Sequence, residues 1–312
     1  MTGYPIRAGL GLGLFPMWDD GAEFATIVTH AERSGFDSLW LSEHLTGPTP
    51  APLPQLAYAA ALTTRMRLGT SVTVLAGRSP VDLAKSLATV DRLSGGRLLP
   101  IFGLGIAEPA EHQAFGIGRT ARAQWVEEAL PLLRRMLRGE RVTHASALFE
   151  LDDIGIGMSA ARREPDLWLG GRTDPELRRA GRLADGWLGS FAAPAAVGRA
   201  IGIVHQAAEA AGRAVDGDHF GVLLLYSDTR RRPREAADLL ARRYPDEDPH
   251  WLCPAGPDAL GEVLAAHADQ GASKFIVVPA ARPRSWPDEI DALRAALAGP
   301  LRDIRARPRQ HG

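Results

Sequence analysis

A single cysteine, Cys253, stands among the 312 residues. It cannot form an intramolecular disulfide or assemble a cysteine-based zinc cluster, which fits a reducing cytoplasm. Lysine is nearly absent too, with Lys85 and Lys274 as its two occurrences. Arginine therefore supplies the positive charge, and the formal net charge is -1. No block of one sign marks a nucleic-acid or membrane partner. No stretch approaches the ~18 apolar residues of a membrane span, and Met1 to Arg7 hold no signal-peptide core, so a cytoplasmic protein is expected. The nine histidines include no H-x-H or H-E-x-x-H pair, so no metal site is expected. The P-loop pattern G-x-x-x-x-G-K-[ST] is also missing, which argues against a nucleoside-triphosphatase.

What is present is alternation. A Gly-rich apolar strand at Arg7 to Leu14 precedes an amphipathic helix over Ala22 to Ser34, which Gly35 ends. Ser38 to Leu41 reads as a strand, Leu56 to Thr64 as a helix and Arg67 to Leu75 as a strand. Ser79-Pro80 opens the next helix, with Ser as cap and Pro where its missing N–H costs nothing. A strand at Leu98 to Leu104 and a helix from Ala121 to Leu137, kinked at Pro131, follow. Strands at Asp166 to Leu169, Gly186 to Gly189, Phe220 to Tyr226 and Phe275 to Val278 alternate with helices at Pro175 to Leu183, Ala195 to Ala211, Pro257 to Gln270 and Asp288 to Leu297. Glu140 to Glu164 shows no clear periodicity, and Arg230 to Trp251 is a polar, Arg-rich excursion.

Eight strand–helix units in a chain of this length match a (β/α)₈ TIM barrel with insertions at its C-terminal mouth. The rival, a doubly wound open sheet, lacks its usual G-x-G-x-x-G between the first strand and helix. Residues 1–312 are read as one barrel domain. Gly9, Gly11 and Gly13 alternate within the first strand, where small residues allow something to approach the backbone closely. The second strand runs straight into Glu43-His44, which puts an acid and an imidazole at a strand carboxyl end, where parallel α/β folds build their sites. Gly170-Gly171-Arg172 precede a helix start and could wrap a phosphate with backbone N–H groups.

Four motifs in register carry a family resemblance: Gly35-Phe36-Asp37-Ser38-Leu39-Trp40, Leu68-Gly69-Thr70-Ser71-Val72, Leu87 to Arg97 (LATVDRLSGGR) and Ala180 to Trp187 (AGRLADGW). Together they resemble the luciferase-like flavin and deazaflavin oxidoreductases over roughly residues 6 to 280, in particular an actinobacterial subgroup that uses coenzyme F420. The resemblance implies a cofactor across the barrel mouth, contacted by Gly11, Thr70, Ser71, Val72, Gly103, Leu104, Gly105, Gly170, Gly171 and Arg172. It implies a cis peptide in a bulge at Ser71-Val72 and places His44 over the reactive ring edge as proton donor or acceptor. An imidazole with an ordinary pKa near ~6.5 suits that task. Glu43 stands where deazaflavin members usually have Asp, and either orients His44 or hydrogen-bonds the ring. The chain departs from the family after Gly105, with Ile106 and Ala107 before Glu108.

The leading expectation is hydride transfer between F420 and a small organic substrate. The alternative is a monooxygenase that uses reduced FMN from a separate reductase. A homodimer is expected, and Arg78, Arg119, Arg122 and Arg172 are candidates for the acidic tail of F420. A silent flavin-binding or assembly protein is disfavoured by Glu43-His44 and Gly170-Gly171. Metal-dependent hydrolysis on a barrel is disfavoured by the histidine spacing. The substrate would be set by the segments 140–164 and 230–251.

Overall fold

The computed structural model describes residues 5–161 and 164–306. Its first half runs β1 (Arg7–Leu12), α1 (Gly21–Arg33), β2 (Ser38–Leu41), α2 (Pro52–Leu62), β3 (Arg67–Thr70), β4 (Thr73–Val74), α3 (Pro80–Leu93), β5 (Leu98–Leu99), β6 (Ile101–Gly103), α4 (Pro109–Ala114) and α5 (Arg122–Leu137). There follow β7 (Val142–Ala145), β8 (Glu150–Ile154), β9 (Trp168–Gly170), α6 (Asp174–Leu183), β10 (Gly186–Ser190), α7 (Pro194–Ala210) and β11 (Phe220–Tyr226). The chain ends with α8 (Arg234–Arg243), α9 (Pro249–Leu252), α10 (Pro257–Asp269), β12 (Lys274–Pro279) and α11 (Trp286–Ala306).

Ten strands share one all-parallel sheet, yet they occupy eight positions. The third position is split into β3 and β4 by a cis Ser71-Val72 bond. The fourth is split into β5 and β6 at Pro100, which has no N–H to donate to a ladder. Because β3 pairs with β5 while β4 pairs with β6, the two ends of the sheet belong to the same strand positions and the ring closes. This is the (β/α)₈ barrel.

The local signals act as expected. Asp20 caps α1 by accepting from the N–H of Ala22 and Glu23, Ser79 caps α3 through Asp82, and Gly35 takes the left-handed conformation after α1. Pro131 lies inside α5. The alternating glycines of β1 admit protein rather than ligand. A β-carbon on Gly9 would lie 2.5 Å from the Trp40 indole nitrogen, and one on Gly11 would lie 2.5 Å from Val278. Gly69 leaves room for the other edge of the same indole, at 2.2 Å. Trp40 thus fills the space between three strands, and its N–H donates to Ser38 at 2.7 Å.

The two segments without periodicity are more ordered than their sequences suggest. Residues 142–154 form the hairpin of β7 and β8, outside the barrel sheet. The arginine-rich excursion contains α8 and α9, and the short α4 follows β6. Ala236 and Leu240, one turn apart, are the buried residues of α8. So short a stripe is hard to see among its arginines.

Candidate functional site

At the carboxyl ends of β2, β4, β6, β9 and β10 lies a cleft of about 280 Å³. A second cavity, about 160 Å³ around Lys274, Asp166 and His219, lies at the amino ends of the strands, away from the place where barrel enzymes work. The cleft gathers Glu43, His44, Ser71, Val72, Gly103, Leu104, Gly105, Gly170, Gly171 and Arg172. Gly11 and Thr70 do not line it. Gly11 faces Ile276 and Val278 within the barrel, and the buried Thr70 hydroxyl exchanges hydrogen bonds with the backbone of Ile101, joining the third and fourth strand positions.

The floor of the cleft is Val72. A β-carbon on Gly103 would lie 2.7 Å from one Val72 methyl and one on Gly170 would lie 3.1 Å from the other. The two glycines therefore make room for Val72, which stands up from the cis bond as an apolar step. Gly105 is different: its φ of +80° is a left-handed turn that a side chain would strain, and it packs on the Arg122 guanidinium.

Glu43 points into the protein. Its carboxylate accepts from the Val74 N–H at 2.8 Å and from Arg78 at 2.7 Å, and its side chain is 5% exposed. Burial pushes its pKa up, against the opposing pull of Arg78 and the Val74 N–H. The Glu43 backbone N–H donates to Val72 and the Ser42 hydroxyl to Ser71, so the end of β2 is laced to the bulge. Glu43 holds the floor in place and makes no bond to His44.

His44 is half-buried and its ring makes no hydrogen bond among the described residues. Burial lowers its pKa, the Arg243 charge adds to that, and Glu111 and Glu108 oppose both. Burial and the arginine both favour the neutral imidazole. Glu111, 1% exposed on α4, was not read from the sequence. Its Oε1 accepts from the Thr46 N–H at 2.7 Å and the Thr46 hydroxyl at 2.8 Å, while Oε2 is buried without a partner. Burial pulls its pKa upward, but the hydrogen bonds from Thr46 and Leu45 hold it below the usual range.

At the far side, an anion that belongs to the chain already occupies the backbone donors that follow Gly170-Gly171. Glu176 on α6 accepts from the N–H groups of Arg172 and Thr173 and from the Thr173 hydroxyl, at 2.9 to 3.0 Å. Arg172 bonds the Phe191 and Ser190 carbonyls, pairs with Glu247 and lies 4.7 Å over the Tyr244 ring. Phe191 holds a left-handed backbone at φ +54°, and its carbonyl accepts from that guanidinium. The excursion thus delivers Tyr244 and Arg243 to the cleft wall, two contributors that no motif announces. Of the four arginines expected at the acidic tail, Arg78 is paired with Glu43 and Arg172 with Glu247. Arg122 is 2% exposed and donates to the Leu104 carbonyl at 2.5 Å. Arg119 is exposed.

The family model for luciferase-like monooxygenases matches residues 4–306, and the chain belongs to that family. An F420-dependent glucose-6-phosphate dehydrogenase of Nakamurella multipartita is 31% identical over 198 residues, 60% of this chain and 57% of that protein. A phthiodiolone/phenolphthiodiolone dimycocerosates ketoreductase of Mycobacterium tuberculosis is 28% identical over 207 residues, 57% of this chain and 54% of the relative. The chain spans about half the length of the curated relatives it matches. Among solved structures, the F420-dependent tetrahydromethanopterin reductase of Methanopyrus kandleri superposes with a TM-score of 0.76 at 19% identity, covering 93% of this chain and 97% of that one. The monooxygenase RslO1 of Streptomyces bottropensis superposes with a TM-score of 0.79 at 20% identity, covering 94% and 98%. These likenesses bear out the barrel; at such identities they carry the fold alone. Among the described residues no helix is long and apolar enough to cross a membrane.

Proposed function

We propose that this member of the luciferase-like family is an oxidoreductase that moves hydride between coenzyme F420 and a small organic substrate, with His44 as the proton partner. The observation that carries this reading is the pairing of an apolar step, Val72 between Gly103 and Gly170, with an unbonded imidazole at the same cleft. A flat ring system fits such a floor, and the F420-dependent relatives support the cofactor's class. When bound, F420 supplies a carbon that accepts or donates hydride. The chain's own residues do the rest. Glu43 and Arg78 hold the floor, Val72 backs the ring, and His44 takes a proton from an alcohol or returns one to a carbonyl. Glu111, carrying its negative charge close by, favours the imidazolium that forms in the first direction.

A phosphate would be held by the N–H groups of Arg172 and Thr173, provided that Glu176 gives way. The reading with reduced FMN and oxygen remains the second, because a monooxygenase shares this barrel closely and RslO1 covers 94% of the chain. Titration of the intrinsic fluorescence of the seven tryptophans with F420 and with FMN tests the choice. Micromolar quenching by F420 is expected. Tight FMN binding with no response to F420 overturns the deazaflavin assignment and promotes the oxygenase.

A further inference from the structure

A cavity of about 460 Å³ lies away from the cleft, between the ends of β11 and β12 and the start of α11. It shares no lining residue with the cleft. The reason is which face of the barrel it touches. The Lys274 ammonium sits 4.3 Å from the Trp168 ring centroid, and β12 and β9 are not neighbours in the sheet, so Lys274 points across the interior. Side chains alternate along a strand. Ile276 and Val278 therefore point inward with Lys274, while Pro279 and its register partner Tyr226 point outward, toward the helices. Barrel wall separates the two cavities.

Tyr226 is 2% exposed, lines this cavity, and its hydroxyl makes no hydrogen bond among the described residues. The hydroxyl is not sealed inside the wall, so it opens into the cavity. Asp228, Asp288, Glu289 and Arg284 share its lining; the charge of Arg282, also in the lining, is already taken by Asp19 and Glu23. Prolines and alanines complete the wall. The acids are spread out. Among the described residues the group of three that could converge on a metal ion is Asp216, Asp218 and His219, elsewhere in the molecule. A roomy, partly apolar cavity with separated carboxylates and an unpaired phenol suits an extended cation rather than a bare ion.

We propose that this rim cavity is a second binding site, for a small organic ammonium compound, with the Tyr226 hydroxyl and the Glu289 and Asp228 carboxylates as its polar contacts. Burial and the charge of Asp228 push the Glu289 carboxyl up, and burial pushes the Tyr226 phenol up to about 12. A bound cation relieves the first, and the second leaves a neutral phenol able to donate or accept. The site needs neither His44 nor the cofactor, so it stands apart from the reading of the cleft.

Saturation-transfer NMR with benzylammonium at low ionic strength tests it, with benzenesulfonate as the anionic control. Benzylammonium is expected to bind, and Tyr226→Phe and Glu289→Gln are each expected to weaken it about tenfold or more, with His44→Ala unchanged. Tyr226→Phe removes one oxygen and keeps the packing, so thermal melting of that variant should match the parent. No binding, equal binding in both variants, or preference for benzenesulfonate through Arg284 overturns the proposal. Loss of binding in His44→Ala assigns the ammonium to the cleft and overturns it as well.

Discussion

Replacing Glu43 separates its role as an anchor from any role in chemistry. Glu43→Ala deletes the acceptor of a buried backbone N–H, Val74 at 2.8 Å, and the partner of Arg78 at 2.7 Å. An orphaned buried donor costs about 1–3 kcal/mol and a charge-assisted bond about 1.5–3 kcal/mol. The Arg78 side chain is 29% exposed and can recover water, so the lower end applies to it. A total near ~3 kcal/mol is expected. Glu43→Gln keeps an acceptor for Val74 and loses only the charge. Because burial raises the Glu43 pKa, a neutral group is well tolerated there, and a change within about 1 kcal/mol is expected. The sign of the pH dependence follows from the same shift. A raised carboxyl pKa contributes stability below the unfolded value, near 4.5, and loses it as pH rises through the folded value. The parent should therefore lose stability relative to Glu43→Gln over that window. Urea denaturation of the three proteins across pH 4 to 8 measures both effects. An alanine variant as stable as the parent, or a parent that gains on the glutamine variant as pH rises, refutes the argument.

His44→Ala should lower turnover by about 10² or more while leaving cofactor affinity within severalfold, and unchanged turnover would remove His44 from the mechanism. Arg243→Gln removes a charge that lowers the His44 pKa and Glu111→Gln one that raises it. If His44 acts as a base, the acidic limb of the rate profile, which lies below ~6.5 in the parent, should move up in the first variant and down in the second; shifts in one direction would refute the assignment. Gly171→Val places a β-carbon 2.5 Å from that of Glu176 in a backbone at φ +155°. It should weaken cofactor binding by about tenfold. Glu176→Ala frees the Arg172 and Thr173 donors and should tighten binding of the cofactor's phosphate, so equal or weaker binding would place the phosphate elsewhere.

The barrel was legible because its cause is local. Each unit pairs a short apolar strand with an amphipathic helix and carries its own punctuation, such as Asp20, Gly35 and Ser79-Pro80. The Glu43-His44 pair and the glycines of the mouth were legible for the same reason: strand ends fix where their side chains emerge. Segment 142–154 was not, since a solvated hairpin buries too little on one face to leave a period in the sequence. Glu111 escaped notice because a carboxylate is valued by its surroundings, here Thr46 and His44 brought from 65 and 67 positions away in sequence.

The sequence by itself determined the order of strands and helices, the absence of an intramolecular disulfide, the family motifs and the chemistry available at the mouth. Tertiary structure decided what those groups are used for. Gly9 and Gly69 serve Trp40, and Gly103 and Gly170 serve Val72, because the occupant of a missing side chain's space comes from another strand. The Glu43 carboxylate meets Val74 and Arg78, and Glu176 takes the backbone donors that follow Gly170-Gly171. Spacing along a chain sets which face a residue takes, but the partner it meets there depends on how the ring closes.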